Sequence, residues 1–304
     1  MSANPPPPAL ETAAPPRPPA WEERGASRLF RALSPRLPRP PRADSPAALA
    51  PWQELRVERA FGFSAARPRA VGPFAARPRG GGTLAATWYE APAPARGAVL
   101  LVHPWNKWGR AYFHRGGRIE ALRAAGYHAM TLDLGGFGGS APAAGFYDRD
   151  VAAGLAFLRQ RAGELPVHLW GLSSGGYWAH PALGGAPGVQ GAMFEDASPH
   201  LIEWSWRMAP RLAPAYLAFR HAFPRAYRFL DLRRHAAALR LAAVAYVSGA
   251  CDPGIHPEET HDLAGRAGGR CLIVGGAGHL RACAEARDDV LALALDTFRR
   301  AEAA

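Results

Sequence analysis

Apolar and polar positions show two kinds of pattern along most of the chain, one typical of strands and one typical of helices. From residue 51 onward, two segments alternate apolar and polar residues, which is typical of strands with one covered face. Six later runs are continuously apolar, as strands buried on both faces of a parallel sheet are. The pattern predicts strands at residues 55–63, 83–90, 98–102, 128–132, 167–170, 190–194, 243–247 and 271–274.

Amphipathic segments lie between these runs. Their periodicity predicts helices at residues 115–125, 148–161, 174–183, 257–265 and 288–299. Strands that alternate with helices usually form a parallel sheet with helices on both faces. The pattern therefore predicts an α/β fold, a mainly parallel doubly wound sheet, in a domain that spans residues 51–304.

One long stretch interrupts the alternation between the sixth and seventh predicted strands. It covers about residues 197–240, predicts no strand, and carries many aromatic residues at helical spacing, including Trp204 and Trp206. Such aromatics commonly pack helices onto a core, and on another face they can line an apolar pocket above the strand ends. We expect a helical cap insertion here, with Trp204 and Trp206 as pocket residues.

Residues 1–50 have a different composition, rich in proline, alanine and arginine. That composition favours extended structure over a packed core, so we predict a mostly disordered leader. Within it, residues 21–33 show the pattern of a short amphipathic helix. Docking of this helix on the domain is the simpler interpretation, and contact with a membrane surface or a partner is the alternative.

Composition also narrows the class of partner. The net charge of +11 suits a nucleic-acid partner. However, Lys107 is the only lysine, and the arginines are dispersed among alanine, proline and glycine, which is typical of a GC-rich genome. We therefore predict no nucleic-acid partner.

The number of cysteines and the length of the apolar runs indicate the cellular compartment of the protein. The 3 cysteines are too few for a disulfide framework, which indicates a reducing compartment such as the cytoplasm. No apolar run approaches the roughly 20 residues that a membrane span needs, and the first residues lack a secretory pattern. We predict a cytoplasmic protein with no integral membrane segment.

The most specific chemical signal surrounds Ser173. The sequence Gly171-Leu172-Ser173-Ser174-Gly175 joins a predicted strand to a predicted helix. A turn this tight needs small residues two positions before and after the serine, and it exposes the serine hydroxyl above the sheet. The segment predicts a nucleophile at Ser173.

A serine nucleophile needs a base to accept its proton and an acid to orient that base. Asp252 follows the seventh predicted strand, and His279 follows the eighth in a Gly-rich loop. Both positions lie at the carboxyl ends of strands, where functional groups gather in open parallel sheets. We predict that Ser173, Asp252 and His279 form a triad. Asp196, after the sixth strand, is the alternative acid.

These segments jointly resemble the α/β-hydrolase fold superfamily of serine esterases and lipases. The resemblance covers about residues 52–300 and includes two further segments. Leu101-Val102-His103-Pro104 is similar to the superfamily's oxyanion-hole stretch, and residues 133–140 are similar to its Asp-x-x-Gly-x-Gly-x-Ser turn. The resemblance implies that Ser173 is the nucleophile, His279 the general base and acid, and Asp252 the orienting carboxylate.

The resemblance also implies an oxyanion hole, with one donor at the backbone N–H of Ser174 and a second after His103. The superfamily usually has glycine after this histidine, whereas this chain has Pro104, which has no N–H to donate. We therefore expect Trp105 to be the second donor and to line the pocket, with Asn106 as the alternative donor.

The expected activity is that of a serine hydrolase that cleaves a carboxylic ester or related acyl bond of a small molecule through an acyl-enzyme intermediate. The same arrangement serves peptidases, thioesterases, C–C hydrolases and acyltransferases, and a non-catalytic binding protein can share the fold. We predict no cofactor and no metal, because the histidines lack metal-site spacing and Pro142 interrupts a loose dinucleotide-like glycine motif. The sequence does not indicate an oligomeric state.

Overall fold

A computed structural model describes residues 13–33, 52–58, 83–92, 94–106, 108–141, 146–186 and 188–304. Its strands are β1 (Trp52–Glu58), β2 (Thr83–Tyr89), β3 (Gly97–Val102), β4 (Tyr127–Leu132), β5 (Val167–Leu172), β6 (Val189–Glu195), β7 (Ala243–Gly249) and β8 (Arg270–Val274). Its α-helices are α1 (Ala20–Leu33), α2 (Arg118–Ala124), α3 (Asp148–Ala162), α4 (Ser174–Leu183), α5 (Leu201–Met208), α6 (Ala213–Ala222), α7 (Pro224–Phe229), α8 (Leu232–Ala238), α9 (Pro257–Arg266), α10 (Ala282–Glu285) and α11 (Arg287–Ala303).

Within the described residues, the 8 strands form one sheet in the order β1-β2-β4-β3-β5-β6-β7-β8. β1 pairs antiparallel with β2, and β2 pairs antiparallel with β4. Every other neighbouring pair, from β4 and β3 to β7 and β8, is parallel. The predicted mainly parallel, doubly wound sheet is confirmed. Its antiparallel edge is formed by β1 and β2, the strands of the two segments that alternate apolar and polar residues.

The two faces of the sheet bury separate cores, which explains the continuous apolar runs. Along β3, Leu100 and Val102 join a core with residues of α3, α4 and α8. Val99 and Leu101 point the other way, into a core with residues of α2 and α11. Successive side chains of a strand face opposite sides, so a strand covered on both faces is apolar at every position.

The strands carry the predicted site residues at their ends. β5 ends at Leu172, one residue before Ser173, while β6 ends one residue before Asp196. Both strands are two residues longer than predicted, and so is β7, which ends at Gly249. The predicted first strand is shifted to Trp52–Glu58, and the remaining predicted residues 59–63 lie outside the described residues.

Four helices, α5 to α8, fill the stretch between β6 and β7, as the predicted cap insertion requires. Helix α1 of the leader lies against this cap. Glu22 Oε1 accepts the backbone N–H of Ala226, the third residue of α7, at 2.6 Å. Glu23 Oε1 accepts the N–H of Phe146 at 3.1 Å. Two buried carboxylates therefore join the leader to the cap and to the segment before α3.

Residues 1–12 and 34–50 of the leader lie outside the described residues. Among the described helices, none combines the length and apolar character that crossing a bilayer requires.

Candidate active site

Ser173 occupies the turn between β5 and α4. Its backbone has φ 48° and ψ −117°, a conformation that residues other than glycine seldom adopt. The Ser173 N–H donates to the carbonyl of Glu195 on the neighbouring strand at 2.7 Å. The turn therefore holds the hydroxyl at the carboxyl edge of the sheet.

The glycines around Ser173 are required by backbone contact. A Cβ on Gly171 would lie 2.6 Å from the Cα of Gly176, closer than real side chains approach. A Cβ on Gly175 would lie 2.6 Å from the carbonyl oxygen of His103 and would overlap that of Val102. The helix start and the strand end thus pack backbone on backbone, as the sequence predicts for this turn.

The structure brings Ser173, His279 and Asp252 together in one chain of hydrogen bonds. Ser173 Oγ lies 2.9 Å from His279 Nε2, and His279 Nδ1 lies 2.6 Å from Asp252 Oδ2. The other carboxylate oxygen, Asp252 Oδ1, accepts the N–H groups of Gly254 at 2.8 Å and Ile255 at 3.2 Å. A carboxylate only accepts hydrogen bonds, so His279 carries its proton on Nδ1 and presents an Nε2 lone pair to the serine.

The pKa of His279 is the balance of opposing influences. Burial lowers it, whereas the hydrogen bond to Asp252 and the charges of Asp196 and Asp252 raise it, and the net pKa lies above the ordinary 6.5. The site therefore favours the imidazolium that forms when the histidine accepts a proton.

Asp196, predicted as the alternative acid, lies beside Asp252 and His279 but has different partners. Its Oδ2 accepts the N–H of Leu280 at 2.7 Å, and its Oδ1 accepts the N–H of Gly249 at 3.3 Å. Asp196 is 1% exposed, and burial raises its pKa to about 7. His279 Nδ1 donates its hydrogen bond to Asp252 and not to Asp196.

The structure also offers one candidate set of metal ligands around His279. Within the described ranges, Asp196, Asp252 and His279 are the group whose potential ligand atoms lie together, within 4.8 Å of one another. Both ring nitrogens of His279 are engaged by Ser173 and Asp252, and both oxygens of Asp196 accept backbone N–H groups. Their donor atoms are thus already arranged for hydrogen bonding within the site.

His103 is part of the scaffold of the predicted oxyanion loop. Its side chain is fully buried, and burial lowers its pKa, so the ring is neutral. Nδ1 lies 2.7 Å from the carbonyl oxygen of Pro104, and Nε2 accepts the N–H of Leu134 at 3.0 Å. The histidine therefore ties this loop to the turn at residues 133–140 and has no nitrogen left for a substrate.

The two predicted oxyanion donors come from different segments, Ser174 from the start of α4 and Trp105 from the loop after β3. Ser174 is the first residue of α4, and the first N–H groups of a helix have no acceptor within it. Trp105 is half-buried in the loop after β3, and its ring packs edge-on against Phe137 at 5.3 Å and Tyr147 at 5.6 Å between centroids. This packing fixes the indole in the loop.

The two predicted pocket tryptophans of the cap have different surroundings. The Trp204 ring is half-buried, with its centroid 6.0 Å from that of His279. Trp206 comes two residues later on α5, about 200° around the helix, and is 41% exposed. The structure therefore brings Trp204 to the site and leaves Trp206 on the surface of the cap.

A buried ion pair between Arg118 and Glu195, which the sequence does not predict, lies next to the site. Arg118 Nε and Nη2 donate to the two carboxylate oxygens of Glu195 at 2.8 and 2.6 Å, and Trp170 Nε1 donates to Glu195 Oε1 at 2.7 Å. Arg118 is 2% exposed and Glu195 is fully buried. A charged residue directly after the apolar run of β6 is a signal of such a pair, but the sequence does not indicate which distant cation meets it.

Comparison with solved structures identifies the architecture. The esterase Pf2001 of Pyrococcus furiosus superposes with a TM-score of 0.66 at 16% sequence identity, covering 88% of this chain and 98% of that chain. The thermostable carboxyl esterase of Bacillus coagulans superposes with a TM-score of 0.59 at 15% identity, covering 82% and 98%. The chain has the α/β-hydrolase fold.

The matches found by sequence cover shorter parts of the chain. A family model described as serine aminopeptidase, S33, matches residues 93–229. Lysophosphatidylserine lipase ABHD12 of Mus musculus is 31% identical over 90 residues, which are 29% of this chain and 23% of that protein. The Danio rerio protein of the same name is 32% identical over 92 residues, 30% of this chain and 24% of its own. The matched segment thus spans under a quarter of these relatives.

Proposed function

We propose that this α/β-hydrolase is a serine esterase that cleaves a carboxylic ester through an acyl-enzyme intermediate. The observation that carries the proposal is the hydrogen-bond chain in which Ser173 Oγ lies 2.9 Å from His279 Nε2 and His279 Nδ1 lies 2.6 Å from Asp252 Oδ2. These distances suit proton transfer from the hydroxyl to the imidazole without movement of the loops.

In the acylation step, Ser173 Oγ forms a bond to the ester carbonyl carbon while its proton passes to His279 Nε2. The tetrahedral intermediate then collapses as the bond to the alkoxide breaks, and the imidazolium gives that proton to the leaving oxygen. In deacylation, His279 takes a proton from water as the water oxygen attacks the acyl carbon. The bond from that carbon to Ser173 Oγ then breaks as His279 returns the proton to Oγ, and the carboxylic acid is released. Asp252 accepts the hydrogen bond from His279 Nδ1 and stabilises the imidazolium.

The oxyanion that develops on the carbonyl needs preorganised donors. We assign this role to the backbone N–H groups of Ser174 and Trp105. The positive end of α4 begins at Ser174, which supports the first assignment. The absence of an N–H on Pro104 supports the second. Each such donor is worth roughly 3 kcal/mol to the transition state.

We assign the orienting acid to Asp252 rather than to Asp196. Asp252 makes the hydrogen bond to His279 Nδ1, whereas the oxygens of Asp196 accept backbone N–H groups. An acid in the triad must hold the imidazole in one tautomer, and only a direct bond to Nδ1 does so.

An apolar acyl or aryl group is the proposed substrate feature. The ring of Trp204 beside His279 and the half-buried ring of Trp105 supply an apolar wall next to the nucleophile. The relatives and structural neighbours named above as lipases and esterases support an ester bond. The family model described as serine aminopeptidase favours one second candidate, cleavage of an amide bond at the same serine.

We further propose that the enzyme works as a cytoplasmic domain over residues 51–304 on a small-molecule substrate, with residues 1–50 as a leader. Three free cysteines, Cys251, Cys271 and Cys283, support a reducing compartment.

Hydrolysis of p-nitrophenyl esters of graded acyl length, beside aminoacyl p-nitroanilides, tests this proposal. We expect the purified wild type to hydrolyse the esters with a preference for an apolar acyl group, and Ser173→Ala to lose that activity. Ser174→Ala is the matched control, because it alters the neighbouring hydroxyl and keeps the backbone N–H. Turnover of anilides without esters would move the assignment to a peptidase, and ester turnover that survives in Ser173→Ala would contradict the proposal.

A further inference from the structure

Three residues other than glycine have positive φ within the described parts of the chain: Ser173 at 48°, Asp196 at 50° and Leu280 at 59°. Such backbone is uncommon and strained, particularly for a residue as bulky as leucine, and it persists only where surrounding contacts hold it. One of the three is the proposed nucleophile. The other two are hydrogen-bonded to each other.

The carboxylate of Asp196 connects the two loops that carry His279 and Asp252. Oδ2 accepts the N–H of Leu280, the residue directly after His279, at 2.7 Å. Oδ1 accepts the N–H of Gly249, which ends β7 and begins the turn to Asp252, at 3.3 Å.

The backbone of Asp196 and the carbonyl of Leu280 are also fixed. The Asp196 N–H donates to the carbonyl of Val247 at 2.8 Å. The Leu280 carbonyl accepts the hydroxyl of Tyr112 at 3.4 Å. Leu280 is thus held through both its N–H and its carbonyl.

We propose that Asp196 is a positioning residue that fixes the His279 loop against the Asp252 loop, so that the imidazole lies in line between Ser173 and Asp252. This inference rests on the proposed function. Asp196 takes no proton from His279 in this role and touches no reacting atom. It acts through the Leu280 N–H.

The charge of Asp196 gives the role a second, electrostatic consequence. The charges that act on Asp196 are those of His279, Asp252 and Glu195. The charge of Asp196 in turn acts on the hydroxyl of Tyr112. Glu195 is paired with Arg118. Burial raises the pKa of Asp196 to about 7. When Asp196 is ionised, its negative charge helps to raise the pKa of His279.

Two variants separate these contributions. Asp196→Asn keeps an oxygen that can accept the Leu280 N–H but removes the charge, whereas Asp196→Ala removes both. Asp150→Asn is the matched control. Asp150 is 2% exposed and accepts the N–H of Gly135 at 2.7 Å, yet it lies in none of the loops that carry the triad.

We expect Asp196→Ala to lower kcat about a hundredfold with little change in KM, because a displaced imidazole disturbs the chemical step more than binding. Asp196→Asn is expected to retain most of kcat. In both variants the acid limb of the pH profile shifts to lower pH, because a charge that stabilises the imidazolium is gone. Asp150→Asn is expected to leave kcat and the acid limb unchanged.

The pKa of the His279 ring can also be followed by NMR without any substrate, with His279→Gln identifying its signal. This measurement also serves if Asp196→Ala fails to fold, because Asp196→Asn then carries the comparison. Wild-type kcat and an unchanged His279 pKa in the Asp196 variants would overturn the inference. So would a loss in Asp196→Asn as large as that in Asp252→Asn, which would make Asp196 the orienting acid. A wild type that hydrolyses no ester counts against the proposed function alone, since the His279 pKa still tests Asp196.

Discussion

Gly175 and Val102 are packed backbone against backbone, so closely that a Cβ on Gly175 would overlap the Val102 carbonyl oxygen. This contact joins the first turn of α4 to the end of β3. The turn at Ser173 and the loop after β3 are therefore one packed unit, and a single added methyl group would force them apart.

Gly175→Ala is expected to destabilise the fold by about 1–3 kcal/mol and to reduce ester hydrolysis sharply, because backbone cannot move aside as a side chain can. Urea unfolding and kcat/KM measure the two effects. Gly265→Ala is the matched control, since no atom lies within 4 Å of the added Cβ in α9. There we expect unchanged activity and a stability gain of about 0.5–1 kcal/mol. Equal stability of the two variants would contradict the packing argument.

The buried pair of Arg118 and Glu195 yields a second prediction. Glu195→Gln leaves the Arg118 guanidinium buried without its counter-charge, so we expect a loss of about 3–5 kcal/mol in the free energy of unfolding. Combining it with Arg118→Met is expected to recover part of that loss, because the uncompensated charge is then removed.

The exposed pair of Arg300 and Asp296, 2.8 Å apart, provides the control for the buried pair. Arg300→Ala is expected to change stability by less than about 0.5 kcal/mol. A Glu195→Gln protein as stable as Arg300→Ala would show that the buried pair contributes nothing measurable. Urea denaturation at neutral pH compares all four proteins.

The raised pKa of His279 predicts the direction of the pH dependence. The proposed base must be neutral to accept the Ser173 proton, and its pKa lies above 6.5. Activity is therefore lost as the pH falls through a value above 6.5, and it is retained above that value. kcat/KM measured between about pH 5 and 9 with a pH-stat tests this. An acid limb centred below the ordinary histidine pKa would contradict it.

Much of the architecture is predictable because it follows from patterns within short stretches of sequence. The doubly wound sheet follows from apolar runs alternating with amphipathic segments, and helix α4 starts at Ser174 and ends at Leu183 as the sequence predicts. The turn around Ser173 is predictable for the same reason, since its strain and its glycines lie within the five-residue segment from Gly171 to Gly175.

What the sequence leaves open depends on contacts between distant segments. The bonds from Asp196 to Leu280 and from Glu195 to Arg118 join residues that no local pattern relates. The difference between Trp204 and Trp206 likewise depends on how α5 is rotated over the site, and aromatic spacing alone does not fix that rotation.

Covalent labelling by a fluorophosphonate probe shows whether Ser173 is an activated nucleophile, because the probe reacts with such a serine and needs no knowledge of the substrate. We expect the wild type to be labelled at Ser173 and Ser173→Ala to stay unlabelled. A wild type that stays unlabelled while folded, or labelling that persists in Ser173→Ala, would contradict this expectation.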